Sequence, residues 1–251
     1  MRVTSSHISI RDAVRRATQH VQDVREGVLD LVYPPFCVVC GKPDAHYICS
    51  ECLENVQYIE APCCRTCGAP SDTIRCVECR RREFAFESAR SAGIYEGVLR
   101  EAIHELKYSF HAALAEPLGD VMAERFSATM LAGKVDAVVP VPIHRSRMLV
   151  RGFNQSEEIA RRMCTRISLP VEARVLFQAR KTRHQVDLPQ DRREGNVKGA
   201  FAVREPEKLR SKRVLLVDDV FTTGATLNEA ASTLLAAGAR SVHVYTLARS
   251  I

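Results

Sequence analysis

Along residues 10–31 the apolar positions Ile10, Val14, Ala17, Val21, Val24, Val28 and Leu31 recur in alternating steps of four and three. That spacing predicts a helix with one narrow apolar stripe. Gly27 and the β-branched residues weaken it, and disorder is expected before about Ser9. The stripe is expected to pack on the body of the protein or on a second copy, as a homodimer. Tyr33-Pro34-Pro35-Phe36 then ends the helix, because proline lacks the N–H and restricts the residue before it. From residue 83 onward, short β-branched runs alternate with helical periods. Strands are predicted at residues 89–95, 137–141, 214–217 and 241–247, and helices at 98–108, 114–130, 155–166 and 227–237. Such alternation implies an α/β fold, a parallel sheet flanked by helices with right-handed crossovers, and a ligand site at the strand C-terminal ends.

Cysteine changes this picture between the two periodic regions. Nine of the ten cysteines lie between Cys37 and Cys79. They repeat: Cys37-x2-Cys40-Gly41-x7-Cys49-x2-Cys52 recurs as Cys64-x2-Cys67-Gly68-x7-Cys76-x2-Cys79, offset by 27 residues. The repeat selects Cys64 over Cys63. Four thiolates per unit meet the tetrahedral demand of a structural zinc ion, so two Zn²⁺ are expected. Spacing leaves both sequential and cross-braced pairing open, and the short internal loops favour one site per repeat. Three parts follow: a helical extension at 1–33, a double zinc module with four cysteines per site at 34–82 and an α/β domain at 83–251. No segment has the length of a membrane span or the apolar core of a secretory signal, so a cytoplasmic protein with reduced thiols and no membrane insertion is expected. Cys164, outside the repeat, reads as a small buried hydrophobe.

The formal charge of +6 is unevenly placed. Residues 1–33 hold five basic and four acidic side chains, 34–82 six of each, and 83–251 twenty-five against twenty. Arg145, Arg147 and Arg151 supply +3 with no acid among them, and residues 180–198 supply another +3. Eight thiolates with two Zn²⁺ give the near-neutral module about −4, which argues against the module as a phosphate binder.

The densest chemistry lies at Val214-Leu215-Leu216-Val217-Asp218-Asp219-Val220-Phe221-Thr222-Thr223-Gly224-Ala225-Thr226. An apolar strand ends in two carboxylates, and a Thr/Gly turn opens a helix whose free N–H groups and dipole favour a phosphate. Thr222, Thr223 and Thr226 add hydroxyl donors, Gly224 allows close backbone approach, and Ala225 belongs to the turn that precedes the helix. Asp218 and Asp219 suit a pair of hydroxyls, so phosphate plus diol spells a ribose 5-phosphate. A Walker B strand also ends in acids, but no G-x-x-x-x-G-K-[ST] or G-x-G-x-x-G occurs. The stretch closely resembles the phosphoribosyl-pyrophosphate (PRPP) loop of the type I phosphoribosyltransferase fold. That resemblance implies diol contacts for the acids, 5′-phosphate contacts for the turn, and a pyrophosphate loop after the second core strand. Here that loop is Val139-Pro140-Val141-Pro142 followed by Arg145, Arg147 and Arg151, with His144 read as a satisfied loop residue. Residues 175–200, polar and charged, correspond to a lid.

Together, the double C-x-x-C module, Ile103-His104-Glu105-Leu106-Lys107-Tyr108, Arg151-Gly152-Phe153-Asn154-Gln155, the 182–201 loop and Asp218-Asp219 resemble the ComF (ComFC) family over residues 31–250. The resemblance implies a type I phosphoribosyltransferase-like domain, a link to DNA uptake in transformation, and Lys107 as a further phosphate contact. It also implies PRPP bound with Mg²⁺, either for transfer to an acceptor that nothing in the chain identifies or for sensing. Single-stranded DNA is an alternative partner, with Tyr108, Phe110 and Phe153 near basic residues, although the chain has no Trp and its basic clusters already serve the pyrophosphate reading.

Overall fold

The computed structural model describes residues 35–109, 111–180 and 197–251. The N-terminal stripe, Phe110 and residues 181–196 of the charged stretch lie outside the described residues.

The cysteine module comes first. Each half is a Cys-x2-Cys-Gly turn followed by a short helix, α1 (Ser50–Glu54) or α2 (Val77–Arg81), capped by Cys49 or Cys76. The turns are built alike: Gly41 N–H donates to the Cys37 carbonyl at 2.8 Å and Gly68 N–H to the Cys64 carbonyl at 2.9 Å. Both glycines take positive φ, +75° and +73°, a conformation that costs a side-chain-bearing residue.

The domain that follows contains β1 (Ser88–Ile94), α3 (Gly97–Tyr108), α4 (Ala115–Ser127), β2 (Ala137–Pro140), α5 (Arg145–Arg151), α6 (Gln155–Ile167), β3 (Leu176–Gln178), β4 (Phe201–Val203), β5 (Arg213–Phe221), α7 (Ala225–Ala236) and β6 (Ser241–Arg249). The main sheet has order β1-β6-β5-β2 and is parallel throughout. β3 and β4 form a separate antiparallel pair.

Strand alternation sorts the core into two layers. Val138, Leu215, Val217, Tyr245 and Leu247 belong to the layer with Ile103 of α3, Met122 of α4 and Ile159 of α6. Val139, Val214, Leu216, Val242 and Val244 belong to the layer with Leu227 and Leu234 of α7 and with β3 and β4. The two cysteine units divide the same way: Cys37, Cys49 and Cys52 join the first layer, and Cys64, Cys67 and Cys79 the second.

Several predicted boundaries move. β5 does not end at the acids but runs on to Phe221, because its backbone stays paired with β6 (Asp218 with Thr246, Phe221 with Arg249) whatever its side chains are. The 114–130 helix ends at Ser127, where the Thr129 hydroxyl bonds the Phe126 carbonyl and competes with the helical ladder. The Arg-rich loop contains helix α5, and the charged 175–200 stretch opens with β3.

Candidate functional site

In each cysteine unit four Sγ atoms lie within 4.8 Å of one another: Cys37, Cys40, Cys49 and Cys52 in one, Cys64, Cys67, Cys76 and Cys79 in the other. Pairing is therefore sequential, one site per repeat, and Cys63 is not among the ligands. The 3.6 Å separations Cys40–Cys49 and Cys67–Cys76 are close to the tetrahedron edge of about 3.8 Å set by a Zn–S bond near 2.3 Å. Burial raises the Cys37 and Cys64 thiols, yet surrounding backbone N–H groups bring both down to about 6. In the same units burial pushes the Cys52 and Cys79 thiols up, and burial alone drives that of Cys164, outside the sites, up to about 12.

A cleft of about 390 Å³ opens at the C-terminal ends of β2 and β5. Asp218 and Asp219 line it, joined by Thr222, Gly224 and Thr226 of the turn, Lys107 from the last turn of α3, and Arg147 and Arg151 from α5. These predicted residues thus converge on one cavity. Arg145, Thr223 and Ala225 do not line it: Arg145 is exposed at the start of α5, the Thr223 hydroxyl accepts from Ala225 N–H at 3.4 Å, and Ala225 is buried as the first residue of α7.

Both acids have protein partners. The Ser156 hydroxyl donates to Asp218 Oδ1 at 2.7 Å, as does the Asp219 N–H at 2.9 Å. Lys107 Nζ lies 2.6 Å from Asp219 Oδ2. Burial, reinforced by the Asp219 charge, pushes the Asp218 carboxyl up to about 7 against the pull of Ser156 and Lys107. For Lys107, burial opposes the charge, but Asp219 and then Asp218 hold the ammonium above its ordinary range. Burial and the charge of Arg151 lower Arg147, while burial also lowers Arg151 against the attraction of Asp219. An anion between the two arginines would relieve both.

The Arg151–Gln155 motif is the corner that sets these groups. Gly152, at φ +83°, closes α5. The Asn154 side chain accepts from Ser156 N–H to cap α6, and its amide donates to the Val141 carbonyl at 3.0 Å, tying the corner to the end of β2. Arg151 bonds Gln155. His144 caps α5 by accepting from Ser146 N–H, as a satisfied loop histidine would.

Sequence reasoning missed Ser156 and Tyr95 and covered Gln178 and Phe201 only within the charged loop; all but Ser156 stand in the cleft wall. Ser156 follows the motif directly, but its contact with Asp218 spans 62 residues and leaves no local signal. Gly224 has a second duty besides anion approach. A Cβ there would meet Phe221 Cζ at 2.7 Å and Phe84 Cε1 at 3.0 Å, so aromatic rings fill the space under the turn.

Comparison with known proteins places these two parts together. Residues 28–81 match the double zinc ribbon domain and residues 111–250 the phosphoribosyl transferase domain. The chain is 30% identical over 231 residues to the DNA utilization protein YhgH of Salmonella typhimurium, covering 88% of this chain and 100% of that protein. It is 27% identical to the competence protein ComFC of Bacillus subtilis, over 85% of this chain and 78% of that one. It is 33% identical to competence protein F of Haemophilus influenzae, over 46% and 51%. Among the described residues no helix is long and apolar enough to cross a membrane. With a double zinc ribbon set before a phosphoribosyltransferase domain and these relatives, the chain belongs to the ComF family.

Proposed function

We propose that the cleft binds PRPP or a related ribose 5-phosphate with Mg²⁺, in a cytoplasmic protein that serves DNA uptake, as the names of its competence relatives suggest. One observation carries the reading: two acids, a helix N-terminus and three cations from four separate elements face a single cavity. The 5′-phosphate would sit on the turn at Thr222, Gly224 and Thr226, where α7 presents its free N–H groups. Asp218 and Asp219 would accept from the 2′- and 3′-hydroxyls, and Arg147, Arg151 and Lys107 would face the pyrophosphate. Asp218 and Asp219 offer hard oxygen donors of the kind Mg²⁺ takes alongside substrate oxygens. Bound there with PRPP, Mg²⁺ would neutralise part of the phosphate charge. The ligand would displace the Lys107–Asp219 contact or extend it, leaving the lysine between acid and phosphate.

The test is calorimetric titration of PRPP with Mg²⁺ into the zinc-loaded chain, beside a chain carrying Asp218→Asn and Asp219→Asn. Saturable binding that the double variant loses is expected; equal binding by both would move the ligand elsewhere.

A single-strand DNA reading is favoured by one feature at the rim. Tyr108 is 51% exposed, its ring 4.8 Å from His104 and 6.0 Å from the Arg151 guanidinium. Such an aromatic-cation pair suits a stacked base. Strongly salt-dependent DNA binding that PRPP leaves unchanged would place the strand on a separate surface.

A further inference from the structure

The second ribbon's last residue and the segment that follows it meet the phosphate turn through three supports. Arg82, just past Cys79, donates to the Thr223 carbonyl within the turn. Phe84 and Phe86 stack at 4.5 Å, and both meet Phe221 edge-on, at 6.4 and 6.2 Å, beneath Gly224. In the first turn of α7, Asn228 Oδ1 accepts from Ala85 N–H at 2.7 Å.

A further contact reaches the metal site itself. Arg249, 9% exposed, donates to the Cys67 carbonyl at 2.8 Å and approaches the Cys67 Sγ at 3.5 Å. Its guanidinium lies 4.3 Å over the Phe221 ring. Among the described residues no carboxylate pairs with it. A zinc ion bound by four thiolates would carry about −2, and there it would be the counter-charge of this buried cation. Metal loss would free the turn that carries Cys67, and with it the carbonyl and Sγ that seat the Arg249 guanidinium over Phe221. The first ribbon makes no contact of this kind among the described residues: its cysteines lie in the opposite core layer.

We propose that zinc in the second ribbon holds the phosphate turn in its binding shape, through Arg249 on Phe221 and Arg82 on Thr223, so that losing this zinc weakens ribose-phosphate binding while losing the first does so far less. The ligand named rests on the function proposed above; the coupling is a property of the fold. Linkage makes the effect reciprocal: a ligand ordering the turn tightens binding of the second zinc by the same factor.

The test compares Cys76→Ser with Cys40→Ser in the full chain. Each is expected to lose one zinc, read by a zinc-binding dye. PRPP·Mg²⁺ affinity is expected to fall about tenfold for Cys76→Ser and by about twofold or less for Cys40→Ser. Hydrogen exchange of residues 222–228 should quicken in the former alone. Arg249→Gln and Arg82→Ala keep all eight thiolates and serve if Cys76→Ser does not fold; both should keep two zinc ions, bind more weakly and exchange faster at the turn. Equal affinity and exchange for Cys76→Ser and Cys40→Ser, or wild-type exchange in both arginine variants, overturns the proposal. A wild-type chain that binds no PRPP would sink the ribose-phosphate reading, and the exchange comparison would still decide the coupling.

Discussion

Gly41 and Gly68 occupy the same place in two copies of one motif, and the molecule treats them differently. A Cβ on Gly41 would meet nothing within 4 Å, whereas one on Gly68 would lie 2.5 Å from the Ala89 carbonyl oxygen. The first ribbon stands off at this turn and joins the layer of α3, α4 and α6. The second is pinned to β1, where Ala89 N–H donates to the Thr66 carbonyl at 2.6 Å, and through Arg82 it reaches the turn beside the cleft. Identical spacing fixes the metal geometry of each unit. What each unit does for the rest of the chain is set by what it packs against.

The widest gap between the ribbons should appear at these glycines. Gly68→Ala combines left-handed strain with backbone overlap and should cost about 3 kcal/mol, against about 1 kcal/mol for Gly41→Ala, measured by urea unfolding of zinc-loaded protein. Equal costs would break the distinction.

The first ribbon's route to the cleft runs through the α3 layer, and Lys107 tests it. Lys107→Met leaves Asp219 buried without its cation and should cost about 3 kcal/mol, with both zinc ions retained. Zinc loss from the first ribbon in this variant would show a tighter link than the packing implies.

The acid pair between the two routes should make the cleft respond to pH while the ribbons stay loaded. With the Asp218 carboxyl pushed up to about 7, the folded state holds a proton that the unfolded chain releases near 4. Its contribution to stability is therefore full below about 4 and is lost as pH rises through about 7. Ligand affinity runs the other way, because a diol needs the ionised acceptor. Affinity should rise across roughly pH 6 to 8, and Asp218→Asn should flatten the part that phosphate ionisation does not explain. A titration profile identical in wild type and variant would remove Asp218 from the diol contact.

The smallest effect is expected at Ser156→Ala. Loss of its bond to Asp218 should cost about 1 kcal/mol and shift the pH profile of binding upward, since this hydroxyl helps keep the carboxylate ionised.

The sheet and its helices were legible because Ala137 to Val139 and Val214 to Val217 form short continuous apolar runs, while the helices between them keep a helical apolar period. The metal sites were legible because their ligands are close in sequence and chemically distinctive. α5 was not: it buries none of its side chains, and Leu149 is 87% exposed, so no apolar stripe marks it. β3 and β4 are three residues each, too short for a period to register. The acids, the turn and the arginines were readable as separate motifs, but Ser156 on Asp218 and Arg249 on Cys67 join positions far apart in the chain. Arg249 in particular reads as a polar strand end, and only the β5–β6 register carries it to Phe221.

That register also bears on how the chain assembles. β6 lies between β1 and β5 and is buried at every position, and its contact with β1 joins residues 155 apart. Each ribbon closes over a short loop and can form early, whereas the sheet must wait for its last strand at a large loop-closure cost. Folding should therefore be slow and hinge on β6 docking, with the two metal knots formed first and the second gaining its arginine only when the sheet closes.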